Sequence, residues 1–453
     1  MDAAELDQRA RTHDGWIPPQ LVTHLLDHGH RDTVTTLART GDWFCADGLA
    51  RQLAADGRHD DALALLAPYA ATGWWKAAAR TAELHEAAGR PDEAAAALRP
   101  AAETGERPAL DAFARLLART GRAAEAYALL RPHTEDALLA EALVEVTAGL
   151  GRDEEVAALL AARIEAAQQG GCRRCGDPDC YRARDLEPFN AIGLLASVRE
   201  RQGRTDEAIA LLHTRDITSV NGRDQLADLL ARHDRIDELR DYAAAEPLGD
   251  AARRLAELLE ERGDVDGAAA VHRTGVAEGS GNAAVYLAEL LARHGRGDEA
   301  VEVLRSLWST DDWLVDRLCT LYADQGRAEE GLAHLDELRA RTGPDADAWE
   351  VHWQRPRLLL ACGRVEEAVE VTRAHPEGQA WYAVEHLAHL LTEAGHPDRA
   401  VELLDPATGR GGKDLAVPLL RLGRVQEAVA VLQRRNPPPV GFPPTAWSDD
   451  PPF

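Results

Sequence analysis

Lysine is almost missing from this chain: of its 51 basic residues, only Lys76 and Lys413 are not arginine. The bases are also outnumbered, 51 against 77 acidic residues, which leaves a net charge of −26 and argues against a nucleic-acid backbone as the main partner. Aromatic residues are 5% of the chain and there is one methionine, so leucine and alanine must fill the interior, as they do between closely packed helices. Six cysteines in 453 residues, three of them scattered, do not make the disulfide framework of a secreted domain, and a reducing compartment is expected. No stretch approaches the length of a membrane-spanning helix, and the opening MDAAELDQRARTHDGW has neither the basic start nor the apolar core of a secretion signal. A cytoplasmic location is therefore expected. The shortage of lysine beside abundant alanine resembles a protein from a GC-rich bacterial genome, so part of the charge is compositional background.

What is present is a ruler of glycines: Gly29, Gly57, Gly89, Gly121, Gly151, Gly203, then Asp234 in a glycine's place, then Gly263, Gly295, Gly326, Gly363, Gly395 and Gly423. A recurrence near thirty residues marks a repeat array, whose core grows by stacking and whose surface offers a long binding face. Around each mark the apolar residues keep one register. Leu49, Ala50, Leu53, Ala62 and Leu66 surround Gly57; Leu287, Ala288, Leu291, Ala300 and Leu304 surround Gly295; Leu387, Ala388, Leu391, Ala400 and Leu404 surround Gly395. Spacings of three and four within each half give one helical face. The glycine stops the first helix in a left-handed conformation, and the acidic pair in GRPDEA, GRDEEV, GRTDEA and GRVEEA opens the second, facing the positive end of its dipole. Each unit is read as a helix-turn-helix hairpin, with the alanines as points of close approach.

These residues resemble the tetratricopeptide repeat, and the likeness runs over about 13 units from Leu21 to Leu432. Most units are shorter than the roughly 34 residues of that family, and its closing proline is mostly missing. The unit at Asp234 has Leu239 where alanine is expected, and the unit at Gly363 has Arg355-Pro356 where Leu-Ala is expected, so Pro356 should start or kink a helix. The resemblance implies an all-α, right-handed α-solenoid of about 13 helix-turn-helix hairpins. The organisation read from the ruler is a lead-in at 1–16, repeats 1–5 at 17–169, a cysteine-containing insertion loop at 170–187, repeats 6–13 at 188–435, and a proline-rich extended tail at 436–453.

Chemistry-bearing constellations are few. Cys172, Cys175 and Cys180 form C-x2-C-x4-C, a spacing that lets three thiolates converge on a metal, with Asp177, Asp179, water, His213 or His233 as the fourth ligand. A structural zinc ion and ordinary reduced thiols both fit, and a redox or catalytic role fits less well. His386, His389 and His396 read as solvent-facing or capping residues. Gly409 to Lys413 fails as a phosphate loop, because Asp414 stands where serine or threonine is needed and no strand precedes it. No catalytic triad, carboxylate pair or dinucleotide fingerprint occurs in a suitable context, and the chain reads as non-enzymatic. Trp43, Trp75, Trp313, Trp349 and Trp381 open first helices, where a wedge between repeats is favoured over a ligand anchor. The tail, with Trp447 and Phe453, is read as disordered, as a ligand for an aromatic groove, or as folding back on the solenoid.

If the first helices line the concave side, as the resemblance implies, residues ten and six before each glycine face the groove. They are Asp47, Asp111, Glu141, Glu145, Asp224, Asp228, Glu257, Glu289, Asp316 and Glu385, with Arg51, Arg115, Arg253, Arg357 and Lys413 among them. An acidic groove favours a basic protein or peptide partner, while a merely solvated face of an acidic protein accounts for the same residues. The leading expectation is a protein-binding scaffold. A regulatory module acting on a separate effector and an acidic mimic of nucleic acid are the alternatives. The zinc reading is checked by metal analysis of protein purified without chelator: about one equivalent of zinc is expected if the three thiolates bind it, and less than half an equivalent leaves reduced thiols.

Overall fold

The computed structural model describes residues 1–13, 15–168, 188–215, 219–220, 223–246, 249–342, 349–404 and 412–433. The 170–187 insertion with Cys172, Cys175 and Cys180, most of the 409–413 loop and the 436–453 tail lie outside these residues. The chain divides into two compact units, one made of residues 1–109 with 384–453 and the other of residues 110–383.

In the first unit α1 (Ala3–Thr12) precedes the hairpins α2 (Pro19–Asp27) with α3 (Arg31–Arg39), α4 (Trp43–Ala55) with α5 (His59–Ala70), and α6 (Trp75–Ala87) with α7 (Pro91–Glu103). The second unit holds most of α8 (Arg107–Arg119), then α9 (Ala123–Leu130), α10 (Ala137–Val146), α11 (Asp153–Gln168), α12 (Pro188–Arg201), α13 (Thr205–Leu212), α14 (Gln225–Arg232) and α15 (Ile236–Ala245). It continues with α16 (Asp250–Glu261), α17 (Val265–Ala277), α18 (Gly281–Arg293), α19 (Gly297–Arg305), α20 (Asp312–Asp324), α21 (Ala328–Thr342), α22 (Trp349–His352), α23 (Gln354–Ala361) and α24 (Val365–Ala374). The first unit closes with most of α25 (Trp381–Glu393), then α26 (Pro397–Leu403), α27 (Gly412–Arg421) and α28 (Val425–Leu432). Apart from a two-residue antiparallel pairing of Ser219–Val220 with Arg223–Asp224, every regular element described is helical.

The register read in the sequence is the register of burial. Ala50, Ala62, Leu66, Leu391 and Ala400 have no accessible surface, and Leu287, Ala288, Leu291 and Leu387 have almost none. Each buried leucine removes enough apolar surface to contribute about 1.5–3 kcal/mol before entropy is counted. The alanines do something else: at full burial they let neighbouring backbones come together where a longer side chain would hold them apart.

Each glycine of the ruler has a positive φ, from 67° at Gly151 to 87° at Gly395. Asp234 takes the same left-handed conformation at φ 59°, so the substituted unit keeps its turn. At the ruler turns other than Gly151, the next residue donates its backbone N–H to the carbonyl five positions back, as in Arg58 to Leu53 at 2.8 Å, Arg296 to Leu291 at 2.8 Å and Arg424 to Leu419 at 2.9 Å. This six-to-one bond satisfies a carbonyl that the end of the helix would otherwise strand.

The arginine of the turn, in turn, ties the hairpins together. Arg296 grips Glu299 through Nε and Nη2, both at 2.7 Å, while its Nη1 donates to Asp266 of the preceding hairpin at 2.9 Å. Arg327 does the same with Glu330 and Asp298, and Arg235 with Glu238 and Asp206. Arg364 reaches Glu367 and Glu329, and Arg204 reaches Glu207 and Glu154. The acidic pair therefore has a second use besides facing the helix dipole: one acid clamps its own turn and the other receives the arginine of the next. The guanidinium hydrogen bonds hold the carboxyls of Glu299, Glu330 and Glu427 below their ordinary range. Being exposed, no single bridge is strong, and the repetition is what matters.

The irregular places have local causes. Pro356 is the third residue of α23, where its missing N–H costs nothing, and the first helix of that hairpin is broken at Trp353 into α22 and α23. The lead-in is packed: Leu6, Trp16 and Ile17 are buried, the Ile17 N–H donates to Asp42 Oδ2 at 2.7 Å, and Trp74 Nε1 donates to Asp7 at 3.1 Å. Asp42 also caps α4 through the Cys45 N–H at 3.0 Å, and burial pushes its carboxyl up.

Ala300→Leu should lower stability by about 1–3 kcal/mol in urea unfolding. Ala288→Leu should cost less, because Ala288 borders a cavity of about 230 Å³ between α18 and α20 that a larger side chain can enter. Equal midpoints for wild type and Ala300→Leu count against close helix approach. His272 is buried beside Arg293 and Arg253, and burial pushes its pKa down to about 4 from the ordinary 6.5. Its neutral form is favoured by folding, so this stability is whole above pH 6.5 and is lost as pH falls from 6.5 towards 4. His272→Phe should therefore flatten the fall of melting temperature between pH 7 and 4.5.

Candidate functional site

Thirteen-residue first helices such as α4, α18 and α20 carry two kinds of side chain. The apolar stripe faces the second helices, and the acids ten and six before the glycine stand on the other side. The structure shows what those acids meet. Asp47 is buried and held by Arg51 of its own helix and by Arg80 of the next first helix. Asp228 receives Arg254 at 3.1 Å, Glu289 receives Arg317, and Asp316 receives Arg357 at 3.1 Å. Arg115 joins Asp111, at 2.7 Å, to Glu145 of the next hairpin. Arginine thus crosses from one first helix to the next, and these acids are cross-tied instead of standing as free anions.

Two networks keep acids in surplus. Around Arg253 and Arg254 stand Asp228, Asp250, Glu257 and Glu261, within 2.7–3.7 Å. Around Arg115 stand Asp111 and Glu145, with Glu141 exposed on the same helix as Glu145. A fixed arrangement of carboxylates with fewer guanidiniums between them favours a cation arriving from outside, and the ion pairs hold the acids in place before it comes.

One expected site residue is misplaced. Asp224 does not face outward: it is buried, caps α14 by accepting from the Ala227 N–H at 2.8 Å, and accepts from the Tyr242 hydroxyl at 2.7 Å. The cause is the length of α14, eight residues, so that ten before the turn falls on the cap and not inside the helix. Glu385 is half-buried, and its burial together with Asp414 pushes its carboxyl up. Lys413, like Cys172, Cys175 and Cys180, is outside the residues whose side chains are described. Among the described residues no group of three or more histidines, cysteines and acids is placed to hold a metal.

The tryptophans divide. Trp43 is buried, edge-to-face with Tyr69 at 5.3 Å and Trp74 at 4.9 Å, a wedge between hairpins. Trp313 lies so close over Gly281 of the preceding hairpin that a Cβ there would come within 2.9 Å of the ring, yet it is 41% exposed. Trp381 is 64% exposed with Tyr382 against its edge at 5.7 Å. Trp75 is half-buried, 5.8 Å from Lys76 Nζ. Sequence reasoning missed the crossing arginines Arg80, Arg254 and Arg317, all nine residues before their glycine. That shared offset was the available signal.

The tetratricopeptide-repeat family model matches residues 45–68, 75–100, 112–132, 281–306 and 317–337. The matched spans begin in or at the first helix and end in or just past the second helix of the hairpins α4 with α5, α6 with α7, α8 with α9, α18 with α19, and α20 with α21. A search of curated protein sequences finds no match. Among solved structures the chain is similar to one of Naa15/Naa10 bound to HypK-THB, at 14% identity and a TM-score of 0.36, covering 92% of this chain and 78% of that one. It is also similar to the pentatricopeptide repeat protein PPR10 from maize, at 16% identity and a TM-score of 0.32, covering 95% of this chain and 74% of that one. The helical hairpins make this an all-α helical-repeat protein, and five of them carry segments that match the tetratricopeptide repeat.

Proposed function

We propose that the chain is a non-enzymatic scaffold that binds a basic protein or peptide on the face of its first helices, and that it works in the cytoplasm. The observation that carries this reading is the pair of acid-rich networks around Arg115 and around Arg253 with Arg254, each with more carboxylates than guanidiniums to neutralise them. A polypeptide bearing arginine or lysine completes the charge balance, and the prepositioned acids spare it part of the ordering cost. The exposed rings of Trp313 and Trp381 add apolar area on first helices. The net charge of −26 opposes a phosphate backbone in the same place. No helix among the described residues is long and apolar enough to cross a membrane, which is consistent with this setting.

The reading is tested by panning a random peptide library on the purified chain. Selected peptides should be rich in arginine or lysine, and their affinity should fall about tenfold between low and physiological salt. Reversing Glu141 and Glu145 to arginine should weaken them by a further factor of about ten. Enrichment of acidic or uncharged peptides, or binding indifferent to both salt and charge reversal, overturns it.

A further inference from the structure

The first unit holds a cleft of about 740 Å³ that the first-helix face does not include. It opens between α3 and α5, the second helices of two consecutive hairpins, and its volume suits a small organic molecule. The floor is apolar, made of Leu49 and Leu53 from α4 and Leu6 from α1, and the exposed Ala64 of α5 lies on the wall. Met1 closes one end, its terminal methyl lying 3.1 Å from where a Cβ on Gly41 would stand.

The rim is basic in an otherwise acidic protein. Arg31, Arg39 and Arg58 line the opening, with Asp61 beside them. Arg58 is engaged by Asp61 at 2.7 Å, and Arg31 reaches Asp56 only at 3.5 Å. Arg39 makes no hydrogen bond or ion pair with any described residue. Unlike the turn arginines and those that cross between first helices, it has no side-chain partner. Thr35 and Thr72 place hydroxyls along the same cleft, although each already donates to a backbone carbonyl, at 2.8 and 2.7 Å.

We infer that this cleft binds a small anionic amphiphile, a molecule with a carboxylate or similar acidic head and an aliphatic or flat aromatic body. The body would lie on Leu49 and Leu53 against the Ala64 wall, and the head would meet Arg39 and Arg31 at the rim. An apolar floor alone would accept any greasy molecule. The unengaged guanidinium adds the preference for an anion, because its planar fork of N–H donors pairs with a carboxylate through charge-assisted, bidentate hydrogen bonds. The site uses neither the first-helix face nor any acid assigned to it, so it stands or falls apart from the scaffold reading.

The probe is dodecanoate, measured by calorimetry on the full chain, with dodecanol and dodecylammonium as neutral and cationic counterparts. One saturable site is expected for dodecanoate, with the neutral counterpart at least tenfold weaker and the cation weaker still. Arg39→Glu should weaken dodecanoate at least tenfold while lowering the melting temperature only slightly, since Arg39 has no side-chain partner and meets only the dipole at the end of α3. Ala64→Trp should abolish binding by blocking the cleft from its α5 wall, and Ala64→Ser, which nearly keeps the volume, should bind as wild type. The inference fails if no saturable binding occurs, if the three probes bind alike, or if Arg39→Glu and Ala64→Trp both bind as wild type. Saturation at several equivalents, indifferent to Arg39→Glu, is surface adsorption and also overturns it.

Discussion

A helix that ends must leave carbonyls without partners, and a chain that ends a dozen helices within a few residues of starting the next must solve that problem at every turn. Here the solution is a single left-handed residue. With φ positive at Gly57, Gly295 or Gly423, the following N–H swings back to the carbonyl five positions earlier, and the next helix starts at once. Everything else is timed by that stop. The buried alanines meet because both helices of the hairpin begin and end at fixed distances from the turn. The arginine after the glycine stands where it can hold its own helix through the glutamate three residues on and the preceding hairpin through an acid about thirty residues back.

The charges fall into two populations that composition alone merges. One belongs to the turns, where Arg204, Arg235, Arg296, Arg327 and Arg364 knit the starts of second helices. The other lies on the first helices, where Arg80, Arg115, Arg254, Arg317 and Arg357 cross between neighbours. Most of the arginine among the described residues is thus occupied by structure. A cation such as Arg39, which has no side-chain partner, is for that reason informative, and so is a cluster in which four acids share two guanidiniums.

Much of the architecture was legible in the sequence because it is repeated: a register seen at Gly57, Gly295 and Gly395 is tested by its own recurrence. The turn at Asp234 was legible too, because aspartate is among the few residues that tolerate the left-handed region. Two things were not. Counting back from a glycine assigns a place in the sequence, not a place on a helix, so Asp224 looked like its counterparts until the shortness of α14 turned it into a cap. Pairings between hairpins were hidden because an arginine and its acid sit about thirty residues apart, with no local pattern joining them. The cleft between α3 and α5 was hidden for a related reason: its walls come from four helices, and the lead-in residues Met1 and Leu6 that complete it show no pattern linking them to the repeats.

The turn at Asp234 differs from the others in one respect that bears on how such a chain comes apart. Links between neighbouring hairpins are all short-range, so the array behaves as a string of couplings and fails first at the weakest. An aspartate held left-handed stores strain that a glycine does not, and it joins the short helices α14 and α15, of eight and ten residues. What compensates is a single guanidinium, Arg262, reaching back to the Asp234 carboxylate. High salt screens that exposed pair and leaves the strain in place, so salt should loosen this turn more than a turn closed by glycine.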